Sequence, residues 1–177
     1  MRNLTSFCLS LAVAAFITGC GPAAGGGSEP TASSAAPEQR LAELAKDGPV
    51  FLYFAKATCG SNPRAAPLVQ AVYKPYEGKV KMLAVVNTPD SAYDSWRQQY
   101  GLTMPGVADV DMSLVKHFGF EASQHIVKVE KGGKASEIEG GFGRPALEAL
   151  NKELAAAAGM EAAPLALADA PASTTYG

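Results

Sequence analysis

Five consecutive apolar, β-prone residues, Val50 to Phe54, run directly into a polar turn and then into a helix-starting stretch. A continuous apolar run of this kind is the pattern of a strand buried on both faces of an α/β sheet. Thr58, Ser61 and Asn62 are suited to capping free backbone N–H groups, and Pro63 fits a first helical turn. Pro67 is expected to kink the helix that continues through Leu68, Val69 and Val72. Cys59 is therefore expected where the strand hands over to the helix. A helix N-terminus favours a thiolate over a thiol. No Asp or Glu lies between Gly48 and Tyr76, whereas Lys56, Arg64 and Lys74 are cationic, so the local field is expected to act in the same direction.

These residues carry a resemblance. An apolar strand, Cys59-Gly60-Ser61-Asn62, and Pro67 eight residues after the cysteine resemble the active-site segment of the thioredoxin superfamily, in particular its redoxin-type envelope proteins. The resemblance implies an α/β fold, a thioredoxin-like three-layer sandwich with a central mixed β-sheet flanked by helices. In that family the segment reads Cys-x-x-Cys, so Asn62 stands at the second, resolving position. Thr58 replaces the tryptophan common before the first cysteine, and Tyr53 takes the place of a buried acidic residue that aids proton transfer. By the same alignment Gln124 stands where the family places a cis-proline facing the cysteine. Strand alternation lets only one of Gln124 and His125 face Cys59.

At 177 residues and a net charge of −2, the chain suggests one domain and has no electrostatic footprint for nucleic acid. Its first 20 residues combine Arg2, an apolar stretch from Leu4 to Ile17, and small residues before Cys20, the layout of an export signal. Ile17-Thr18-Gly19-Cys20 resembles a bacterial lipobox, which implies cleavage before Cys20 and acylation of that cysteine with a diacylglyceryl group and palmitate. Gly21 after the cysteine leans, by the same analogy, towards the outer membrane of a two-membrane organism. An ordinary signal peptide cut elsewhere, or an uncleaved anchor, is the competing reading. The expected organisation is a signal peptide over 1–19, a flexible tether headed by the lipidated Cys20 over 20–36, a thioredoxin-like domain over 37–158 and a disordered Ala/Pro/Thr-rich tail over 159–177.

Within the domain, patterning predicts helices over 37–46, from Asn62 to about Tyr73, from Asp90 to Tyr100, over 111–118 with Met112, Val115 and Phe118 inward, and over 144–158. Strands are predicted over 50–54, 79–87 and 124–130, the last returning through a hairpin at 131–134 to 135–138. Residues 104–109 resemble the short extended piece that redoxins add.

With Cys8 in the signal and Cys20 acylated, Cys59 is left alone and no internal disulfide forms. The expected function is monothiol exchange through Cys59 in the cell envelope, on thiol- or disulfide-bearing envelope proteins, with Thr58, Gly60, Ser61, Asn62, Pro67 and Gln124 forming its surroundings. No cofactor and no metal are expected. A peroxidatic site would need Pro and Thr or Ser where Leu52 and Lys56 stand, and a copper site would have only His117 and His125 to add to Cys59. From a different class comes the alternative of a redox-inactive lipoprotein that uses the fold as a binding or scaffolding platform.

Overall fold

The computed structural model describes residues 35–177. The signal peptide, Cys20 and nearly all of the expected tether lie outside these residues. The first helix, α1, spans Pro37–Leu44 and leads to β1, Val50–Ala55. Then come α2 (Asn62–Tyr73) and a single 3₁₀ turn at Lys74–Tyr76, followed by β2 (Lys81–Val86) and α3 (Asp90–Gln99). The chain continues through β3 (Gly106–Ala108), α4 (Ser113–His117), β4 (His125–Val129), β5 (Ala135–Glu137) and α5 (Arg144–Ala158).

The strands form one mixed sheet in the order β3-β2-β1-β4-β5. β1 pairs in parallel with β2 and antiparallel with β4, which places it at the centre and explains why all six of its residues are apolar and buried. Residues 106–108 are the edge strand of this sheet, parallel to β2. Alternation along β1 divides the core. Phe51, Tyr53 and Ala55 face α2, α3 and α5, whereas Val50, Leu52 and Phe54 face α1 and α4. The result is the expected three-layer α/β sandwich.

Two expectations fail for identifiable reasons. In α4 Val115 and Phe118 pack on the smaller core cluster as expected and Leu114 is fully buried, but Met112 is not part of this face. Met112 precedes the helix in a left-handed conformation (φ 56°), so the helix starts at Ser113 and leaves it outside. The stretch 159–177, expected to be a disordered tail, instead packs in part on the domain. Leu167 and Ala170 are buried in the larger core cluster. Tyr76 Oη donates to Asn151 Oδ1 (2.6 Å) and accepts from Ala163 N (2.8 Å), and Asn151 Nδ2 donates to Ala163 O (2.9 Å). Composition missed this because a few apolar side chains and a set of polar, largely main-chain, bonds suffice to seat the segment.

Candidate active site

The turn between β1 and α2 is fixed from two sides. Lys56 N donates to Ser123 Oγ (3.0 Å), just ahead of β4, and Ala57 N donates to Asn87 Oδ1 (2.7 Å), just after β2. Within the turn Cys59 N donates to Lys56 O (3.0 Å), and Asn62 N to Cys59 O (3.1 Å). Cys59 thus sits three residues ahead of α2 as a free, partly exposed thiol. Its Sγ lies 3.1 Å from Ser61 Oγ.

Beneath the sulfur, three residues that depart from the family pattern form one hydrogen-bonded cluster. Tyr53, Asn62 and Gln124 are each fully buried. Tyr53 Oη bonds to Gln124 Oε1, and Gln124 Nε2 donates to Asn62 Oδ1 (2.9 Å) and to Ser61 Oγ (2.9 Å). Asn62 Nδ2 donates to Lys56 O (2.9 Å) and Ala57 O (3.3 Å). Asn62, a candidate helix cap by sequence, turns back into the protein, and Ser61 at the cap position makes no side-chain capping bond. Gln124 has a φ of +73°, a left-handed conformation that costs a non-glycine residue about 1 kcal/mol or more. It is held there by its side-chain bonds, by its N–H to Phe54 O (2.9 Å), and by Gly141 N donating to its carbonyl (2.7 Å).

The cluster has a direction. Burial drives the Tyr53 phenol far above its usual range, so it stays a donor. Tyr53 Oη donates a hydrogen bond to Gln124 Oε1, and the Gln124 amide donates one to Ser61 Oγ, whose hydroxyl in turn stands 3.1 Å from Cys59 Sγ and is available to donate to the thiolate. Burial pushes the Cys59 thiol up. Bonds from the Ser61 hydroxyl and backbone, and from the Ser123 and Gln124 side chains, more than offset this and hold it below the ordinary thiol value. The expected cationic contribution is not what does this. Lys56 Nζ donates to Glu121 O (2.8 Å), Arg64 Nη2 reaches Asp169 O (3.4 Å), and Lys74 pairs with Glu77 (2.5 Å).

Of the residues expected around Cys59, Ser61, Asn62 and Gln124 converge on it. Thr58 and Gly60 are exposed at the crest of the turn, and Pro67, an exposed residue inside α2, makes none of the site's hydrogen bonds. His125 turns to the other face, stacked on Phe120 (ring centroids 3.8 Å apart) and bonded to Glu137 (2.6 Å). His117 faces Glu38 at 3.3 Å. Sequence reasoning missed Ser123, whose only signal is its place immediately before Gln124. It also missed residues 171–177. That segment ends against the sulfur: a Cβ built on Gly177 would lie 2.5 Å from Cys59 Sγ and 2.1 Å from Ser61 Oγ.

Solved structures share this architecture. A secreted disulfide oxidoreductase of Mycobacterium tuberculosis homologous to Escherichia coli DsbE is 19% identical, with a TM-score of 0.51 over 65% of this chain and 85% of that one. M. tuberculosis DsbF is 21% identical, with a TM-score of 0.52 over 65% and 84%. A candidate thiol:disulfide interchange protein DsbE from Chlorobium tepidum is 19% identical, with a TM-score of 0.54 over 67% and 84%. At these identities the likeness is one of fold, and the fold is thioredoxin-like. No curated protein matches the chain. The AhpC/TSA family model matches residues 31–137, more than half of the sequence and all of the site up to Gln124, and the chain belongs to that family.

Proposed function

We propose that this protein is a lipid-anchored thiol-redox protein of the cell envelope that performs monothiol exchange through Cys59. The observation that carries the reading is the donor relay from Tyr53 through Gln124 and Ser61, which ends on the sulfur and favours its thiolate. Asn62, at the resolving position, supplies no second thiol and instead anchors the relay. The step follows from the chemistry. The Cys59 thiolate attacks one sulfur of a substrate disulfide, a new S–S bond forms, the substrate bond breaks, and the departing thiolate takes a proton from solvent. An external thiol then attacks the mixed disulfide and returns Cys59 as thiolate.

The envelope location and the anchor at Cys20 rest on the first 20 residues of the sequence, and Gly21 favours the outer membrane. Partners in this reading are thiol- or disulfide-bearing envelope proteins. The test combines the pH dependence of Cys59 alkylation with turnover of a small disulfide, for the native chain and Cys59→Ser. Because hydrogen bonding lowers the folded pKa, the alkylation midpoint is expected below about 8.5, an ordinary thiol value. Turnover is expected to vanish in Cys59→Ser. A midpoint at or above that value, with no Cys59-dependent turnover, would overturn the proposal in favour of a redox-inactive binding lipoprotein.

A further inference from the structure

Residues 171–177, with a bend at Ala172 and Ser173, lie across the mouth of the site, between the loop that ends at Gln124 and the glycine-rich loop 140–143. Ser123 N donates to Gly177 O (3.0 Å), with Gly177 N facing Ser123 O at 3.5 Å. Phe142 N donates to Thr175 O (2.8 Å), and Arg144 N to Pro171 O (2.7 Å). The glycines are what let the two backbones approach so closely. A Cβ on Gly143 would lie 1.9 Å from Ser173 O, one on Gly141 2.3 Å from Thr175 O, and one on Gly140 2.1 Å from the Tyr176 hydroxyl. Recognition is thus almost wholly through main-chain N–H and C=O groups, which any extended polypeptide presents.

The two parts of the tail are held unequally. Leu167 and Ala170 are buried in the core, whereas residues 172–174, 176 and 177 are exposed, so the end of the segment is held by a few hydrogen bonds of small net worth. A weakly held segment joined to a firmly buried one is a tethered ligand at high effective concentration, present in the groove by default but displaceable.

We propose that segment 171–177 is an intramolecular occupant of a polypeptide-binding groove beside Cys59, and that an extended polypeptide must displace it to reach the sulfur. A Cβ at the Gly177 position would lie 2.1 Å from Ser61 Oγ as well as 2.5 Å from Cys59 Sγ, so the position against the sulfur takes a glycine unless Ser61 shifts, and a competitor pairs there through its main chain.

The native chain and one variant test this. In the native chain the Phe142 and Arg144 amides, which donate to Thr175 O and Pro171 O, are expected to be protected from hydrogen exchange. Gly143→Ala, at a position whose φ of −71° suits alanine, is expected to expel the segment. Alkylation of Cys59 by a polymer-linked maleimide would then rise on the order of tenfold if the segment is docked nine-tenths of the time. Unprotected Phe142 and Arg144 amides in the native chain, or Gly143→Ala that is folded by circular dichroism and alkylates at the native rate, would overturn the proposal. Neither readout depends on turnover, so a failure of redox activity leaves it standing, and its own failure leaves Cys59 exchange untouched.

Discussion

Asn62→Asp isolates the buried cluster with almost no change of shape. It replaces the Nδ2 donor, which serves Lys56 O and Ala57 O, with an acceptor facing the same two carbonyls. A carboxylate there would be fully buried against two oxygens, so the folded state retains a proton on it instead. Keeping an acid of ordinary pKa near 3.9 protonated at pH 7 costs about 1.4 kcal/mol per pH unit, roughly 4 kcal/mol in all. The protonated acid can still donate one bond, to Lys56 O; Ala57 O keeps its bond from Trp96 Nε1 (3.2 Å), so the second lost bond adds about 1 kcal/mol. The position at the start of α2 favours a negative charge by at most about 2 kcal/mol, too little to reverse the balance at pH 7.

The sign follows from where the proton sits. The folded pKa lies above the unfolded one, so the unfolded state releases a proton that the folded state keeps, and the variant loses stability as pH rises above about 4. Urea unfolding of both proteins at pH 4.5, 5.5 and 6.5 should give a destabilisation that grows by about 1.4 kcal/mol per unit, from roughly 2 kcal/mol at the lowest pH. A difference that is flat with pH and below about 1 kcal/mol would refute the burial of Asn62 and the relay built on it.

Two further outcomes follow from the same geometry. Asn62→Cys restores the spacing of a dithiol and is expected to form a reversible disulfide with Cys59, detected as a two-proton mass loss; an oxidised protein that keeps both thiols would refute the alignment of Asn62 with the resolving position. Asp109, only 1% exposed, accepts from Arg40 Nη1 (3.1 Å) and from the backbone of Leu114 and Val115 (both 3.1 Å) at the start of α4. Asp109→Ala leaves the guanidinium without its carboxylate and is expected to destabilise the fold by about 3–5 kcal/mol in urea unfolding; a loss under about 1 kcal/mol would refute that role.

Much of the scaffold was legible because local signals agreed. The apolar run at Val50 made β1 unmistakable, and the helix over 144–158 follows directly from Leu147, Leu150 and Leu154 recurring on one face. The placement of Cys59 followed from those neighbours. Its electrostatics did not, because sequence gives the charge of Lys56 or Arg64 but not the direction in which a long side chain reaches. Nor could spacing reveal that Gln124 and Asn62, 62 residues apart, meet under the sulfur, since that contact exists only once β4 lies beside β1. The tail was misjudged for a related reason: main-chain pairing with a glycine loop leaves little trace in composition.

The union of Tyr53, Gln124 and Asn62 restricts how this site can change. Each side chain completes the hydrogen bonding of the next, so replacing one strands a buried polar group on its neighbour and the penalties do not add independently. A single substitution towards a two-sulfur centre must cross an intermediate with an orphaned amide in the interior. The one-sulfur arrangement is thereby guarded by three positions at once, and only a concerted exchange of the trio would leave it without a stability deficit.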